Sequence, residues 1–201
     1  MARGENPDQQ RQRLLDSAIG EIGKVGTMGL RILDVARDSK CSVTTIYRLF
    51  GDREGLVANA LLEIYRRALD RFMASCSAQL SSSPSITIED FVDSLYSLGR
   101  PTGVNPSWAQ LHLAIGGLGK NDVSREFGNL DRQFHREVAS RLNAIASSLG
   151  VNESRDIAAL SRLVTASTLA PVSERALPSG VRLGDRRHRE LLVDVIRRYL
   201  A

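Results

Sequence analysis

The chain has 201 residues, 42% of them hydrophobic, and carries 27 Lys/Arg against 23 Asp/Glu for a formal net charge of +4. That apolar content suffices for one or two globular cores, while no apolar run approaches the roughly 18 residues that a bilayer span demands. The opening MARGENPDQQRQR lacks an apolar signal core, and two cysteines, Cys41 and Cys76, make neither a disulfide framework nor a zinc pattern, so the expectation is a reduced cytoplasmic protein without metal or cofactor.

From Asp8 to Val25, Leu14, Leu15, Ala18, Ile19 and Ile22 recur at three- and four-residue intervals and predict an amphipathic helix. Gly23 and Gly26 are expected to help end it, and Arg11 and Arg13 to sit on a flexible arm able to reach a phosphate. Two short helices joined by a tight turn follow, about Arg31 to Asp38 and then a helix opened by Ser42 as N-cap. In the second of these Ile46 and Phe50 point inward, leaving Thr44, Thr45, Tyr47 and Arg48 outward. Ala36 leaves room for a close crossing, so the pair reads as a helix-turn-helix. The core expected for this three-helix unit is Leu15, Ile19, Ile22, Leu30, Ile32, Val35, Ala36, Ile46 and Phe50.

Asp52 is the expected N-cap of a long helix reaching about Cys76, and QLSSSPS, Gln79 to Ser85, reads as a loop. Further helices are predicted from about Ile88 to Leu98, from about Pro106 through Ile115, over Val123 to Leu149, over Asn152 to Ala170, and from Asp185 to Leu200. There is no convincing strand and no repeat. The fold class is all-α, divided as residues 8–54 and 55–201.

The order Ala36, turn, Ser42, then TIYRLF and GDREGL resembles the TetR family of transcriptional regulators, whose usual form is an Ala, a Gly-hydrophobic-Ser turn, T-[IL]-Y-x-[HY]-F and then [KR]-E-x-L. The match covers about Leu14 to Leu62; the rest of the chain carries no motif. Three positions differ from the family form. Lys40 replaces the turn Gly, so it must accept a left-handed backbone or the turn must differ. Arg31 replaces a Thr or Ser cap, and Leu49 replaces a His or Tyr.

The resemblance implies an N-terminal helix-turn-helix DNA-binding domain and a larger C-terminal helical domain for effector binding and dimerisation. It implies a homodimer that binds a palindromic operator in double-stranded DNA and is released by a small-molecule effector, more in the manner of a repressor than an activator. The DNA-facing set is Lys40, Ser42, Thr44, Thr45, Tyr47, Arg48 and Arg53. Within it the resemblance makes Thr45, Tyr47 and Arg53 phosphate contacts, and Thr44 and Arg48 are best placed for base edges. Bulk charge adds little to this argument, because Met1 to Leu56 holds nine Lys/Arg against eight acids.

Phe91, Tyr96, Asn105, Trp108, His112, Phe127 and Phe134 are candidates to line an effector cavity or, equally, to be ordinary core. Leu160, Leu163, Val164 and Ser167, with Leu191, Leu192, Val195, Ile196 and Tyr199, form either intramolecular core or a dimer seam. Asp131 and His135, four apart on a helix, read as an intrahelical pair before a metal site. Cys41 reads as a small apolar residue before a thiol sensor. An enzyme is disfavoured: there is no nucleophile triad in context, and GGLG at Gly116 to Gly119 follows a helix where a phosphate loop follows a strand. A binding protein that has lost DNA recognition stays open.

Overall fold

The computed structural model describes residues 6–82, 86–97, 121–151, 156–167 and 185–201. Every regular element among them is a helix: α1 Pro7–Gly29, α2 Ile32–Ser39, α3 Val43–Phe50, α4 Arg53–Ser82, α5 Ile88–Ser97, α6 Asn121–Ser148, α7 Ile157–Ser167 and α8 Asp185–Leu200. No helix among the described residues is long and apolar enough to cross a membrane. The helix predicted from about Pro106 through Ile115 lies outside the described residues. Two compact units divide the chain, one holding the chain up to Arg66 together with the start of α6 to Phe127, the other beginning at Arg67 and taking in α6 from Gly128 onward.

In the first unit Asn6 caps α1, its Oδ1 accepting from Asp8 N at 3.1 Å, and Pro7 occupies the first turn, where a missing N–H costs nothing. Leu14, Ala18, Val35 and Ile46 are fully buried. Ile19 and Ile32, expected in this core, are only half-buried, and Leu14 takes the central place. Gly26, at φ 72° and ψ 173°, interrupts the helical path after Val25, and the helical hydrogen bonds resume as far as Gly29. Gly23 stays within the regular turns, so Gly26 alone makes the break.

Arg11 and Arg13 are not on an arm. Both stand in regular turns of α1; Arg11 donates to Asn59 Oδ1 at 2.6 Å and its guanidinium lies 4.8 Å from the Phe50 ring centre, while an Arg13 terminal nitrogen lies 3.3 Å from Cys41 Sγ. Pro7 and the Asn6 cap start the helix before either arginine, and a guanidinium over an aromatic face is a favourable resting place.

Around the turn, Lys40 takes the left-handed conformation, φ 53° and ψ 34°. Its N–H and that of Cys41 donate to Arg37 O and Ala36 O at 3.2 and 3.0 Å, which closes the last carbonyls of α2. A lysine there costs about 1–2 kcal/mol in backbone strain relative to glycine. Arg31 begins α2 with no side-chain cap, as its substitution for a hydroxyl residue implies.

In the second unit Phe72, Phe91, Phe134, Val138, Leu142, Val164 and Ile196 form the centre of one apolar cluster. Phe72 and Phe134 meet edge to face, ring centres 5.4 Å apart at 81°. Arg189 forks onto Asp93 at 2.5 and 2.8 Å, and Arg197 pairs with Glu89, so charged rungs join α8 to α5. Helix α4 continues past Cys76 to Ser82, overriding the loop expected from Gln79. Residues 83–85 lie outside the described set.

Cys76 is buried, and that burial pushes its thiol up to about 11, the nearby Arg141 cation offsetting part of the effect and Glu137 adding to it. Near pH 8 Cys76 is therefore a protonated, shielded thiol, whereas Cys41 is half-exposed. A disulfide reagent on the native protein is expected to modify Cys41 alone, Cys76 joining only in denaturant. Equal rates for both thiols would contradict the packing around α4.

Candidate nucleic-acid interface

The outer face of α3 is built from its inner one. Ile46 and Phe50 are buried, and this fixes the rotation of an eight-residue helix, so that Thr44, Tyr47 and Arg48 face out while Val43, Thr45 and Leu49 lie half-buried at the sides. Ser42 stops fraying at the near end, its Oγ accepting from Thr45 N at 3.1 Å. Gly51, at φ 83°, ends the helix with its N–H on Tyr47 O at 2.8 Å. Asp52 Oδ1 then accepts from Gly55 N at 2.6 Å and opens α4, as its position predicts.

On the outer face Thr44, Tyr47 and Arg48 are exposed, Tyr47 with 48% of its surface accessible, and Lys40 is exposed at the turn before them. Thr44 and Arg48, four residues apart, share one side of the helix. Among the described residues, the side chains of Lys40, Thr44, Tyr47 and Arg48 have no hydrogen-bond or ion-pair partner. A hydroxyl, a phenol, an ammonium and a guanidinium thus stand together as uncommitted donors, a set suited to phosphate oxygens and guanine edges.

Three members of the DNA-facing set, Ser42, Thr45 and Arg53, are occupied. Thr45 is half-buried with Oγ1 2.9 Å from Ser42 Oγ, so these hydroxyls serve the helix start. Arg53 turns back on the protein: Nε donates to Leu30 O at 3.0 Å and a terminal nitrogen to Met28 O at 2.9 Å and to Thr27 O. Leu49 is half-buried.

Among the described positions, the residues considered for an effector cavity divide between the two units, Phe91, Tyr96 and Phe134 sharing one cluster and Phe127 belonging to the other unit. Phe91 and Phe134 are in the core of the second unit. Tyr96 is half-buried there with its hydroxyl on His188 Nδ1. Phe127 belongs to the first unit, its ring 5.4 Å from that of Tyr65. Asn105, Trp108 and His112 lie outside the described residues.

The terminal-helix stripe also separates. Leu160, Val164, Leu192 and Ile196 are buried in the chain's own core, which removes them from a seam; Val195, Tyr199 and Ser167 are half-buried; Leu163 and Leu191 are exposed at 55% and 53%. Both candidate roles were open because period gives a face without saying what covers it. His135 Nε2 sits 3.6 Å from Asp131 and its Nδ1 3.3 Å from Thr165 Oγ1, an ordinary side-chain network. No group of three potential metal ligands occurs among the described residues.

The sequence matches no protein-family model and no curated protein. Its structure is similar to several solved ones over nearly their whole length. A TetR-family transcriptional regulator from Cytophaga hutchinsonii is 15% identical with a TM-score of 0.73, covering 97% of this chain and 96% of that one. A TetR transcription regulator from Haloarcula marismortui is 15% identical with a TM-score of 0.67, covering 96% and 97%. A chain assigned as a transcriptional regulator from Saccharomonospora viridis, solved in complex with choline, is 20% identical with a TM-score of 0.67, covering 94% and 96%. At these identities the likeness is one of fold.

Proposed function

We propose that this chain, built on the fold of the TetR-family transcriptional regulators, is a DNA-binding regulator of transcription that reads an operator through α3. The observation that carries the reading is the outer face of that helix, where Lys40, Thr44, Tyr47 and Arg48 are exposed and uncommitted while Ile46 and Phe50 anchor the opposite side. Arg48 and Thr44 address base edges; Tyr47 and Lys40 hold phosphates and set the register. Ser42 and Thr45 hold the helix start. Arg53, committed to backbone carbonyls, is not among the proposed phosphate contacts.

The regulator acts as a homodimer in the cytoplasm. One eight-residue helix buries too little surface for tight specific binding, and two of them about 34–36 Å apart read successive half-sites of a palindrome. Leu163 and Leu191, exposed on the two terminal helices, are the apolar groups available to a second copy. A small-molecule effector releases the operator, in keeping with the choline held by a neighbour of the same fold. Repression follows from such release, and a hundredfold loss of affinity asks about 2.7 kcal/mol of coupling, within the usual allosteric range.

A gel shift on the DNA upstream of this protein's own gene tests the reading. Arg48→Ala is expected to lose about 1–3 kcal/mol of discrimination at one base pair, and Tyr47→Ala to weaken all duplexes alike. Binding by both variants that equals wild type removes α3 as the reading helix.

A further inference from the structure

We infer that Arg53 is a positioning residue for DNA recognition, a staple that joins the two flanks of the helix-turn-helix and holds α3 at its reading angle. The inference rests on the proposal that α3 reads DNA. Arg53 follows the end of α3 by three residues, and its acceptors, Thr27 O, Met28 O and Leu30 O, lie at the end of α1 and in the link to α2. One guanidinium therefore closes the chain on both sides of residues 32–50.

The acceptors belong to the end of α1, at Gly29. The last carbonyls of a helix have no partners within it, which leaves those of Thr27 and Met28 free to accept, with that of Leu30 just beyond them. A planar cation with donors in a fixed fork meets three such carbonyls at once, through charge-assisted hydrogen bonds. Two-thirds of the side chain is shielded, and the remaining exposed edge pairs with Glu54 at 3.3 Å. Committed on both edges, the guanidinium acts on DNA through the angle of α3. Lysine, with one compact ammonium, cannot reproduce the fork.

The test uses the full chain, a 40-bp duplex enriched by wild-type protein from a random pool, and the variants Arg53→Lys and Arg53→Gln, each checked for helical content. Three quantities are read: the thermal midpoint, the dissociation constant at a temperature well below that midpoint, and the slope of log K against log salt. A staple predicts that both variants melt lower and bind about tenfold more weakly, with an unchanged salt slope. Three results overturn the inference. A salt slope reduced by about one per protomer, with affinity kept by Arg53→Lys, marks Arg53 as a phosphate contact. A lowered midpoint with wild-type affinity marks it as structural only. Failure of the wild type to enrich any duplex removes the DNA reading and the staple's role with it, an outcome seen before either variant is made.

Discussion

Phe134→Ala is expected to destabilise the second unit by about 3–5 kcal/mol, the range for removing a large aromatic from a packed core. Phe134 is 2% exposed, stands edge-on to Phe72, and shares its cluster with Phe91, Val138 and Leu142. Truncation removes the transfer free energy of the ring, the edge-to-face attraction of about 0.5–1.5 kcal/mol, and leaves a hole that rigid helices fill poorly. Urea unfolding followed by far-UV circular dichroism measures this: the midpoint falls while the slope holds. The same variant separates the two roles the sequence left open. A ring bordering an empty cavity has few partners on one side and costs little to remove, so a loss under about 1 kcal/mol would return Phe134 to the cavity wall.

Periodicity and local capping chemistry were legible in the sequence; partners brought together from distant positions were not. The last helix, Asp185–Leu200, has the bounds expected of it; of the stripe that announced it, Leu192 and Ile196 are buried, Val195 and Tyr199 half-buried and Leu191 exposed, while Val193 and Leu200 join the buried face. Ser42 and Asp52 announce helix starts through their own side chains, and both accept the backbone N–H bonds their positions require. Lys40 was visible as a problem, and its left-handed φ of 53° is the answer. The Ser-rich QLSSSPS with its Pro84 predicts a loop from Gln79, and the helix runs into it. Here Ser77 Oγ donates to Met73 O at 2.9 Å, bonding back along the helix, and helix continues through the Ser-rich stretch to Ser82. The engagements of Arg11, expected on an arm, and of Arg53, expected at a phosphate, are hidden for a simpler reason. Their partners, Asn59 and the carbonyls of residues 27, 28 and 30, are 48 and up to 26 residues away, and nothing local to an arginine says which distant acceptor it will meet. The outer face of α3 needed no such knowledge, since Ile46 and Phe50 alone orient it.

If α3 reads DNA as proposed, Ile46→Ala is expected to abolish operator binding without touching any group on the outer face of that helix. Ile46 is fully buried on the inner side of α3, in a core whose other fully buried members include Leu14, Ala18 and Val35. Losing three carbons there costs about 2–5 kcal/mol, a large share of the 5–15 kcal/mol that holds a typical domain together. An eight-residue helix has little stability of its own, so α3 detaches or tilts when its anchor goes, carrying Thr44 and Arg48 out of register. Gel shifts and thermal melts on paired variants distinguish this from loss of a contact: Ile46→Ala loses both affinity and midpoint, whereas Arg48→Ala loses affinity and keeps its midpoint. Ile46→Val, which leaves most of the side chain in place, is expected to cost only about 0.5–1.5 kcal/mol and to retain binding. Wild-type affinity in Ile46→Ala would mean that the inner face of α3 does not set the outer one, and the geometric basis for reading DNA through this helix would be gone.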